Sequence, residues 1–282
     1  MAKHWLRQYL VLLVASCLSI AAHAWGEVGH RVTGLVANEF ITDTTRRELQ
    51  ALMGSTDLAT MALYMDKNKM ALQSRIPGSR EWHYDDRPVC NSKATRAEYC
   101  PGGNCSSVQI RKHYRILIDP HSSKGDRQFI VYVLVHLIGD IHQPLNASYH
   151  DDRGGNDVKV TLPTSTAAKL NLHSVWDNNL VAQSFDVKDE RKIAQQLVGA
   201  ITDPQRKEWK SVRIDQWLSE GYLIAVNDVY GKLPGFTCQE DLGADPIALD
   251  MDYVKNATVI IPTQLLKAGY RIAAVLNRAL DR

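Results

Sequence analysis

Histidine and aspartate recur four residues apart at two places, a spacing that puts both side chains on one face of a helix. His136 and Asp140 lie in a segment that is apolar nearly all round, and His173 and Asp177 repeat the spacing further on. An ionised aspartate in an apolar helix is costly unless it is paired or bound to a metal. One such pair is typical of a buried hydrogen bond, whereas two pairs favour a metal site.

Other residues of the same types extend this set. His30, Asp66 and His83 precede the two pairs, and His83 stands in a short segment with two further acids, Asp85 and Asp86. Imidazole and carboxylate without thiolate suit a catalytic zinc that keeps an open position. One zinc takes only three or four protein ligands, so this number of candidates indicates several ions. Clustered metal ions are typical of phosphoester hydrolysis.

Helices must position most of these side chains, because apolar residues recur at three- and four-residue spacing. Asp43 is a plausible N-cap for the second helix. Alternation predicts a strand over Asp157–Leu162, which can pair with Ala168–Leu172 as a small hairpin. The sequence therefore predicts a mainly α fold in one domain, residues 25–282. Helices are predicted over Val28–Phe40, Thr44–Met53, Leu58–Leu72, Val108–Ile118, Gln128–His142, Ile193–Leu197, Ile214–Val229 and Thr263–Leu280.

The N-terminus has the three parts of a secretory signal. A short basic stretch, Met1–Gln8, precedes the apolar run Tyr9–Ala22, and Ala22-His23-Ala24 is a small-x-small cleavage site. The apolar run is short of the roughly 20 residues that span a bilayer, and we expect no later stretch to span one. Residues 1–24 are therefore predicted to be a signal peptide, and the exported protein, periplasmic or secreted, begins at Trp25.

Composition and charge limit the range of functions. Hydrophobic residues make up 45% and charged residues 23% of the chain, which is ordinary for a folded protein and excludes a disordered or collagen-like chain. Removing Lys3 and Arg7 with the leader lowers the 33 basic residues to 31, equal to the 31 acidic ones. A neutral chain has no overall basic field, so an anionic substrate must be attracted by local charge.

Four cysteines remain after the leader, an even number that predicts two disulfides in an exported chain. A turn at 101–104 brings Cys100 and Cys105 close, which favours their pairing and leaves Cys90 to pair with Cys238. A four-cysteine zinc site is disfavoured because the chain has no Cys-x2-Cys spacing.

Several longer motifs now resemble one family, the class I single-strand-specific zinc nucleases of the P-one/S-one type. They occur in the family's order and cover the chain from Trp25 to about Asp177. The resemblance implies the helical fold that this family shares with zinc-dependent phospholipase C. The motifs are Trp25-Gly26 through Gly29-His30, Trp82-His83-Tyr84, His136-Leu137-Ile138-Gly139-Asp140-Ile141-His142-Gln143-Pro144-Leu145, Asp152-Arg153-Gly154-Gly155-Asn156 and Asn171-Leu172-His173-Ser174-Val175-Trp176-Asp177.

The resemblance implies three zinc ions in one cleft. One ion takes Asp66, His83, His136 and Asp140, and a second takes His30 and the terminal amine and carbonyl of Trp25, with Asp140 shared. The third takes His173, Asp177 and the residue six positions after Asp140.

That last position departs from the family, because it is Asn146 and not histidine. Asn146 can bind weakly through its side-chain oxygen, His150 can replace it, or the third site can be empty much of the time.

The resemblance also implies how the substrate is handled. Asp86 orients the attacking water, and Lys69 stands where the family has an arginine. Tyr84 stacks on an unpaired base, which accounts for single-strand preference. The expected substrates are single-stranded DNA, RNA and nucleotides, with 5′-phosphate products and 3′-nucleotidase activity.

We expect a monomer without an obligate protein partner. The alternatives are a phospholipase C-like phosphodiesterase and an exported zinc-binding protein whose turnover Asn146 has reduced.

Overall fold

Helices form most of the chain that the structure describes, so the predicted mainly α fold is confirmed. The structure is a computed structural model that describes residues 25–239 and 242–281. The predicted signal peptide, residues 1–24, lies outside the described residues. The α-helices are α1 (Glu27–Phe40), α2 (Asp43–Met53), α3 (Leu58–Met61), α4 (Tyr64–Lys67), α5 (Lys69–Arg75), α6 (Arg96–Tyr99), α7 (Ser106–Ile118), α8 (Lys124–Asp140), α9 (Leu172–Ser174), α10 (Leu180–Gln183), α11 (Glu190–Ala200), α12 (Asp203–Trp209), α13 (Ile214–Ile224) and α14 (Met251–Leu280).

Helix α8 is the central helix, as its nearly all-round apolar sequence predicts. Every residue from Val133 to Asp140 is buried. The helix begins where the Ser123 side chain accepts a hydrogen bond from the Asp126 amide, four residues before the predicted start at Gln128. It packs against α7 and α14, so its C-terminal turn, which carries His136 and Asp140, is held inside the molecule.

Helix α14 begins twelve residues before the predicted start at Thr263. The sequence pattern stops at Pro262, but the helix runs through this proline because Val254, Ala257 and Ile261 hold the preceding turns in the core. The expectation that no later stretch is long and apolar enough to span a membrane was also wrong. By length and composition alone, α14 could cross one. Its most apolar window is 61% buried inside the protein, as in a core helix.

The helix predicted over Leu58–Leu72 is instead three short helices, α3, α4 and α5. In the first break, the carbonyl of Ala62 accepts a hydrogen bond from the His136 ring. At the second, the Asn68 side chain donates to the carbonyl of Tyr64. The predicted N-cap of α2 was also one residue late, because the side chain of Thr42, not Asp43, accepts from the Thr45 amide.

A small sheet positions the second histidine–aspartate pair. Strands β1 (Lys159–Thr161) and β2 (Leu170–Asn171) pair antiparallel, which gives the predicted hairpin. A third strand that the sequence pattern did not indicate, β3 (Ile247–Ala248), pairs parallel with β1. Strand β2 leads directly into α9, so the sheet fixes the position of His173.

The described residues also form helical turns that are wider or tighter than an α-helix. The helix predicted to reach Val229 is α-helical only to Ile224 and then widens into a π-helical turn. Tighter 3-10 turns cover Glu81–His83, Pro101–Gly103 and Pro144–Ala147, and π-helical turns cover Val175–Asn179 and Ala225–Tyr230.

Both predicted disulfides are present. Cys100 pairs with Cys105 across the short turn, and Cys90 pairs with Cys238 across 148 residues. In a chain-entropy picture, the longer loop restricts the unfolded state more.

Candidate metal centre

Three ligand atoms meet at the end of α8. His83 Nδ1 lies 2.9 Å from one carboxylate oxygen of Asp140, Oδ2, and His136 Nε2 lies 3.2 Å from the same oxygen. The two ring nitrogens lie 3.1 Å apart. All three side chains are buried. Three of the four residues predicted for the first zinc, His83, His136 and Asp140, therefore converge on one point.

The second oxygen of Asp140 faces another histidine. Asp140 Oδ1 lies 3.2 Å from His30 Nε2, and the rings of His30 and His136 stack with centroids 4.2 Å apart. Asp66 lies beside both groups, with its carboxylate oxygens 3.8 Å from His83 and His136 and 3.9 Å from His30. The Asp140 carboxylate thus bridges two sets of nitrogen ligands.

This donor set fits a zinc ion by its chemistry and by its spacing. Ligands at 2.0–2.2 Å from a tetrahedral zinc lie about 3.3 Å apart, close to the separations within this cluster. The buried Nδ1 of His30 has no hydrogen-bond partner among the described residues, and His30 Nε2 and Asp140 Oδ1, although 3.2 Å apart, are not aligned for a hydrogen bond. Buried polar atoms are normally hydrogen-bonded or bound to a metal, so these atoms indicate a cation.

Backbone carbonyls orient two of the histidine rings. His136 Nδ1 donates to the carbonyl of Ala62 at 2.5 Å, and His173 Nδ1 donates to that of Gly154 at 2.6 Å. In each ring the other nitrogen, Nε2, faces an aspartate of the cluster, Asp140 or Asp177, and metal-binding histidines are usually oriented by such a bond from the nitrogen that does not bind the metal. Gly154 has a φ of 63°, a conformation that favours glycine.

The charges of the cluster favour a cation as well. Burial alone would lower the pKa of His136, but the carboxylates of Asp140 and Asp66 outweigh it and raise the pKa to about 9. Burial lowers the pKa of His83 despite its contact with Asp140. Although burial opposes it, contact with His136 and the other histidines holds the pKa of Asp140 well below its ordinary value. Asp140 therefore stays ionised, and a metal can replace the proton on His136.

The second histidine–aspartate pair lies near the first group. His173 Nε2 is 3.4 Å from an oxygen of Asp177, and both side chains are buried. Burial, together with the charges of Asp66 and Asp140, raises the pKa of Asp177 well above its ordinary value, and Lys69 opposes the rise. Gln143, which the sequence argument did not single out, donates to the other Asp177 oxygen at 2.8 Å.

Trp25 lies between these two groups. Its fully buried ring donates from Nε1 to the carbonyl of Gly139 at 3.0 Å, directly before Asp140. The next amide, that of Gly26, donates to the carbonyl of Asp177 at 3.0 Å. The predicted mature N-terminus thus contacts the residue before Asp140 through the Trp25 ring and contacts the backbone of Asp177 through Gly26.

Asn146 lies beside the end of α8, whereas His150 is held elsewhere. The buried Asn146 side chain donates from Nδ2 to the carbonyl of Asp140 at 3.2 Å, and the backbone carbonyl of Asn146 accepts from the Asp85 amide at 2.7 Å. His150 packs edge-on against Tyr230 and Phe236. It also lies beside the Cys90–Cys238 disulfide.

The loop with Tyr84 and Asp86 is anchored by a third acid. Both oxygens of the buried Asp85 accept hydrogen bonds from Ser107, at 2.8 Å from its amide and 2.7 Å from its hydroxyl. Burial and the charges of Asp85 and Asp152 raise the pKa of the half-buried Asp86 to about 6. Burial and the charge of Asp86 raise the pKa of Tyr84 to about 12.

Histidines and aspartates from α1, α4, α8, α9 and two connecting turns form this centre, an arrangement typical of metal-dependent phosphoester hydrolases. The family model described as S1/P1 Nuclease matches residues 25–281. The chain therefore belongs to the S1/P1 nuclease family, and it is a nuclease, a hydrolase of phosphodiester bonds.

Curated nucleases are similar in sequence to this chain over most of their length. The chain is 26% identical to Endonuclease 2 of Arabidopsis thaliana, over 91% of this chain and 90% of the relative. It is 25% identical to Nuclease S1 of Aspergillus oryzae, over 95% and 96%. It is 23% identical to Nuclease P1 of Penicillium citrinum, over 87% and 83%.

Proposed function

We propose that the protein is an exported zinc-dependent endonuclease that cleaves single-stranded DNA and RNA to products with 5′ phosphates and also removes 3′ phosphates from nucleotides. The observation that carries the proposal is the bridging position of Asp140. One of its oxygens lies 2.9 and 3.2 Å from two histidine nitrogens, and the other lies 3.2 Å from a third. A carboxylate shared between two metal ions is suited to phosphodiester hydrolysis.

Two ions fit the described ligands directly. Asp66, His83, His136 and Asp140 would hold one ion, and His30 with the backbone of Trp25 would hold the other. Zinc in such a centre lowers the pKa of water and polarises a phosphoryl oxygen.

The remaining residues position water and substrate. Asp86, with a pKa near 6, can accept a hydrogen bond from the attacking water and take its proton near neutral pH. Lys69, close enough to Asp177 to influence its pKa, supplies positive charge for the phosphate. The Tyr84 ring offers a surface on which an unpaired base can stack.

A third ion would lie at His173 and Asp177. Asn146 could contribute to this third site. Its side-chain Nδ2 donates to the Asp140 carbonyl, so its side-chain oxygen can bind a cation. An amide oxygen is a weaker zinc ligand than imidazole. His150 would have to leave its aromatic contacts with Tyr230 and Phe236 to replace it.

Export is supported by the two disulfides, which form and persist in oxidising compartments. Cleavage after Ala24 would free the amine of Trp25 at a point already next to Gly139 and Asp177. The signal peptidase would thereby complete the second metal site.

The proposal is tested by incubating the mature protein with matched single-stranded and double-stranded oligonucleotides, of DNA and of RNA. We expect cleavage of the single strands, product ends that carry 5′ phosphate, and phosphate release from a 3′-nucleotide. Phosphatidylcholine serves as the competing substrate. Release of phosphocholine without oligonucleotide cleavage would support a phospholipase C-like enzyme and reject the proposal, and bound zinc without turnover on any substrate would identify a zinc-binding protein.

A further inference from the structure

Three exposed arginines surround a surface groove near the C-terminal end of α7. The groove has a volume of about 560 Å³, and its lining includes Arg115, Arg213 and Arg278 together with the half-buried Tyr114. None of the three arginines forms an ion pair with another of the described residues. Converging cations without acidic partners attract an anion.

The basic surface continues along α7, which carries Arg111, Lys112 and Arg115 and no acidic residue. An adjoining groove of about 490 Å³ is lined by Arg96 and by these three side chains. Among the described lining residues of both grooves, the single acid is Asp215. It is held by Arg96 and by Arg111 at 2.7 Å. We call this surface the α7 basic track; it consists of Arg96, Arg111, Lys112, Arg115, Arg213 and Arg278.

The α7 basic track concentrates positive charge locally, although residues 25–282 have no net charge. Basic and acidic residues are then equal in number, 31 of each, so a random surface of this size would carry a balanced mixture. Guanidinium groups offer planar, paired donors that match phosphate oxygens. Tyr114 adds an aromatic face on which a base can stack, a combination typical of single-strand binding surfaces.

Helix α7 connects the track to the catalytic loop. At its N-terminal end, Ser107 holds Asp85, the residue between Tyr84 and Asp86. Arg111 and Arg115 follow Ser107 at successive four-residue steps, so they lie along the same side of the helix. With a rise of 1.5 Å per residue, they lie about 6 and 12 Å along the axis from Ser107.

We infer that the α7 basic track binds the phosphate backbone of a single-stranded polynucleotide whose scissile bond lies in the metal cleft, an inference that rests on the proposed nuclease function. A strand that runs from Tyr84 along α7 meets Arg111 first and reaches Arg115, Arg213 and Arg278 only if it is several nucleotides long. The track therefore makes the enzyme prefer long strands to short ones, and this preference weakens with salt.

The test compares two triple variants with equal loss of charge. Arg115→Ser/Arg213→Ser/Arg278→Ser removes the exposed end of the track, and Arg47→Ser/Arg191→Ser/Lys207→Ser removes three exposed cations from α2, α11 and α12.

The mature, zinc-loaded proteins are assayed on a 30-nucleotide strand and on a trinucleotide. We expect the track variant to raise KM for the long strand at least tenfold and to leave KM and kcat for the trinucleotide within twofold. For the long strand, the slope of log(kcat/KM) against log salt concentration should become about 2 less steep in the track variant. Each single-strand phosphate contact contributes about 0.7 to this slope, and the variant removes three.

The control variant separates local from general charge effects. It should behave as the wild type on both substrates, and an equal loss of long-strand affinity in the control would overturn the inference. The inference also fails if the track variant keeps the wild-type preference for length, or if it instead loses only the binding of anionic phospholipid vesicles. A wild-type protein that cleaves neither substrate contradicts the proposed function itself. If circular dichroism shows that the triple variant is unfolded, Arg213→Ser/Arg278→Ser gives the same comparison with two contacts.

Discussion

His136 and His142 lie six residues apart, and both are buried beside charged side chains. They differ in the sign of the nearest charge and in the groups that their ring nitrogens contact. His136 faces the carboxylates of Asp140 and Asp66, which outweigh its burial and raise its pKa to about 9. His142 donates from Nδ1 to the carbonyl of Ile138 and accepts from Arg271 at 2.8 Å. Burial and the Arg271 charge lower its pKa to about 3.

The second histidine belongs to a closed structural cluster. Arg271 makes two hydrogen bonds to Glu220, at 2.8 and 3.0 Å, and Lys267 also donates to Glu220, at 3.1 Å. These contacts join α13 and α14 to the chain directly after α8. Both ring nitrogens of His142 are used within the protein, so this histidine has no atom to offer a metal. The Nε2 of His136 instead faces His83 and Asp140, which can bind the same metal ion, whereas the Nε2 of His142 faces a guanidinium, which cannot.

The largest effect is expected from Asp140→Asn, which removes the shared carboxylate charge and keeps the side-chain shape. Cleavage of single-stranded DNA should fall about 1000-fold, because bound metal contributes several kcal/mol of transition-state stabilisation. The metal content should fall with it. The matched variant His142→Gln should keep the zinc content of the folded protein and lower only its stability, and a loss of zinc from that variant would remove the distinction between the two histidines.

The next effect is expected from a protein that begins Met-Trp25. One extra residue replaces the terminal amine of Trp25 with an amide, which is a poor zinc ligand, while the buried ring and its bond to Gly139 are unchanged. Most of the cleavage activity should be lost while the protein still folds, as far-UV circular dichroism can check. Wild-type turnover would show that Trp25 acts only through its packing.

Glu220→Gln should break the structural cluster without touching the metal centre. The buried charge of Arg271 loses its partner, and breaking a buried pair costs about 3 kcal/mol. Urea unfolding should report this loss, and zinc content per folded chain should stay at the wild-type value. A variant as stable as the wild type would show that the cluster contributes nothing to the fold.

The same pair predicts a pH dependence. Burial alone would raise the pKa of Glu220, but Arg271 and Lys267 lower it from 4.5 to about 2. Its contribution to stability is therefore full above about pH 4.5 and is lost as the pH falls toward 2. Unfolding at pH 7, 5 and 3.5 should show a constant difference between wild type and Glu220→Gln at the two higher values and a smaller difference at the lowest. A difference that grows on acidification would contradict the assignment.

The smallest effect is expected from Asn146→His, which gives the third site the imidazole that zinc prefers over an amide oxygen. Zinc occupancy should rise modestly, and cleavage should become a few times less sensitive to a mild chelator. If His150 fills the position, that change does little and His150→Ala lowers the metal content instead. The placement of residue 146 at a metal fails if neither variant alters zinc content or rate.

Much of the metal centre could be predicted from the sequence because short motifs fix local geometry. The four-residue spacing of His136 and Asp140 puts both on one side of α8. His30, Asp66 and His83 stood out by residue type, and the resemblance implied which ion each would hold. The sequence pattern did not show the carbonyl of Ala62 that orients His136, because it becomes available only where the predicted helix breaks into α3 and α4. Gln143 and Arg271 act through contacts 34 and 129 residues away in sequence, which periodicity does not detect. Strand β3 is two residues long, too short for a pattern of alternation.

We expect the cluster around Asp140 to bind the zinc on which cleavage depends. Metal ions in the mature protein can be counted by mass spectrometry, and single-strand cleavage measured before chelation, after it, and after zinc is restored. Zinc binding at this cluster predicts at least two zinc ions per chain, loss of cleavage when they are removed, and recovery when they return. Full cleavage by protein whose metal content has been shown to be zero would contradict it.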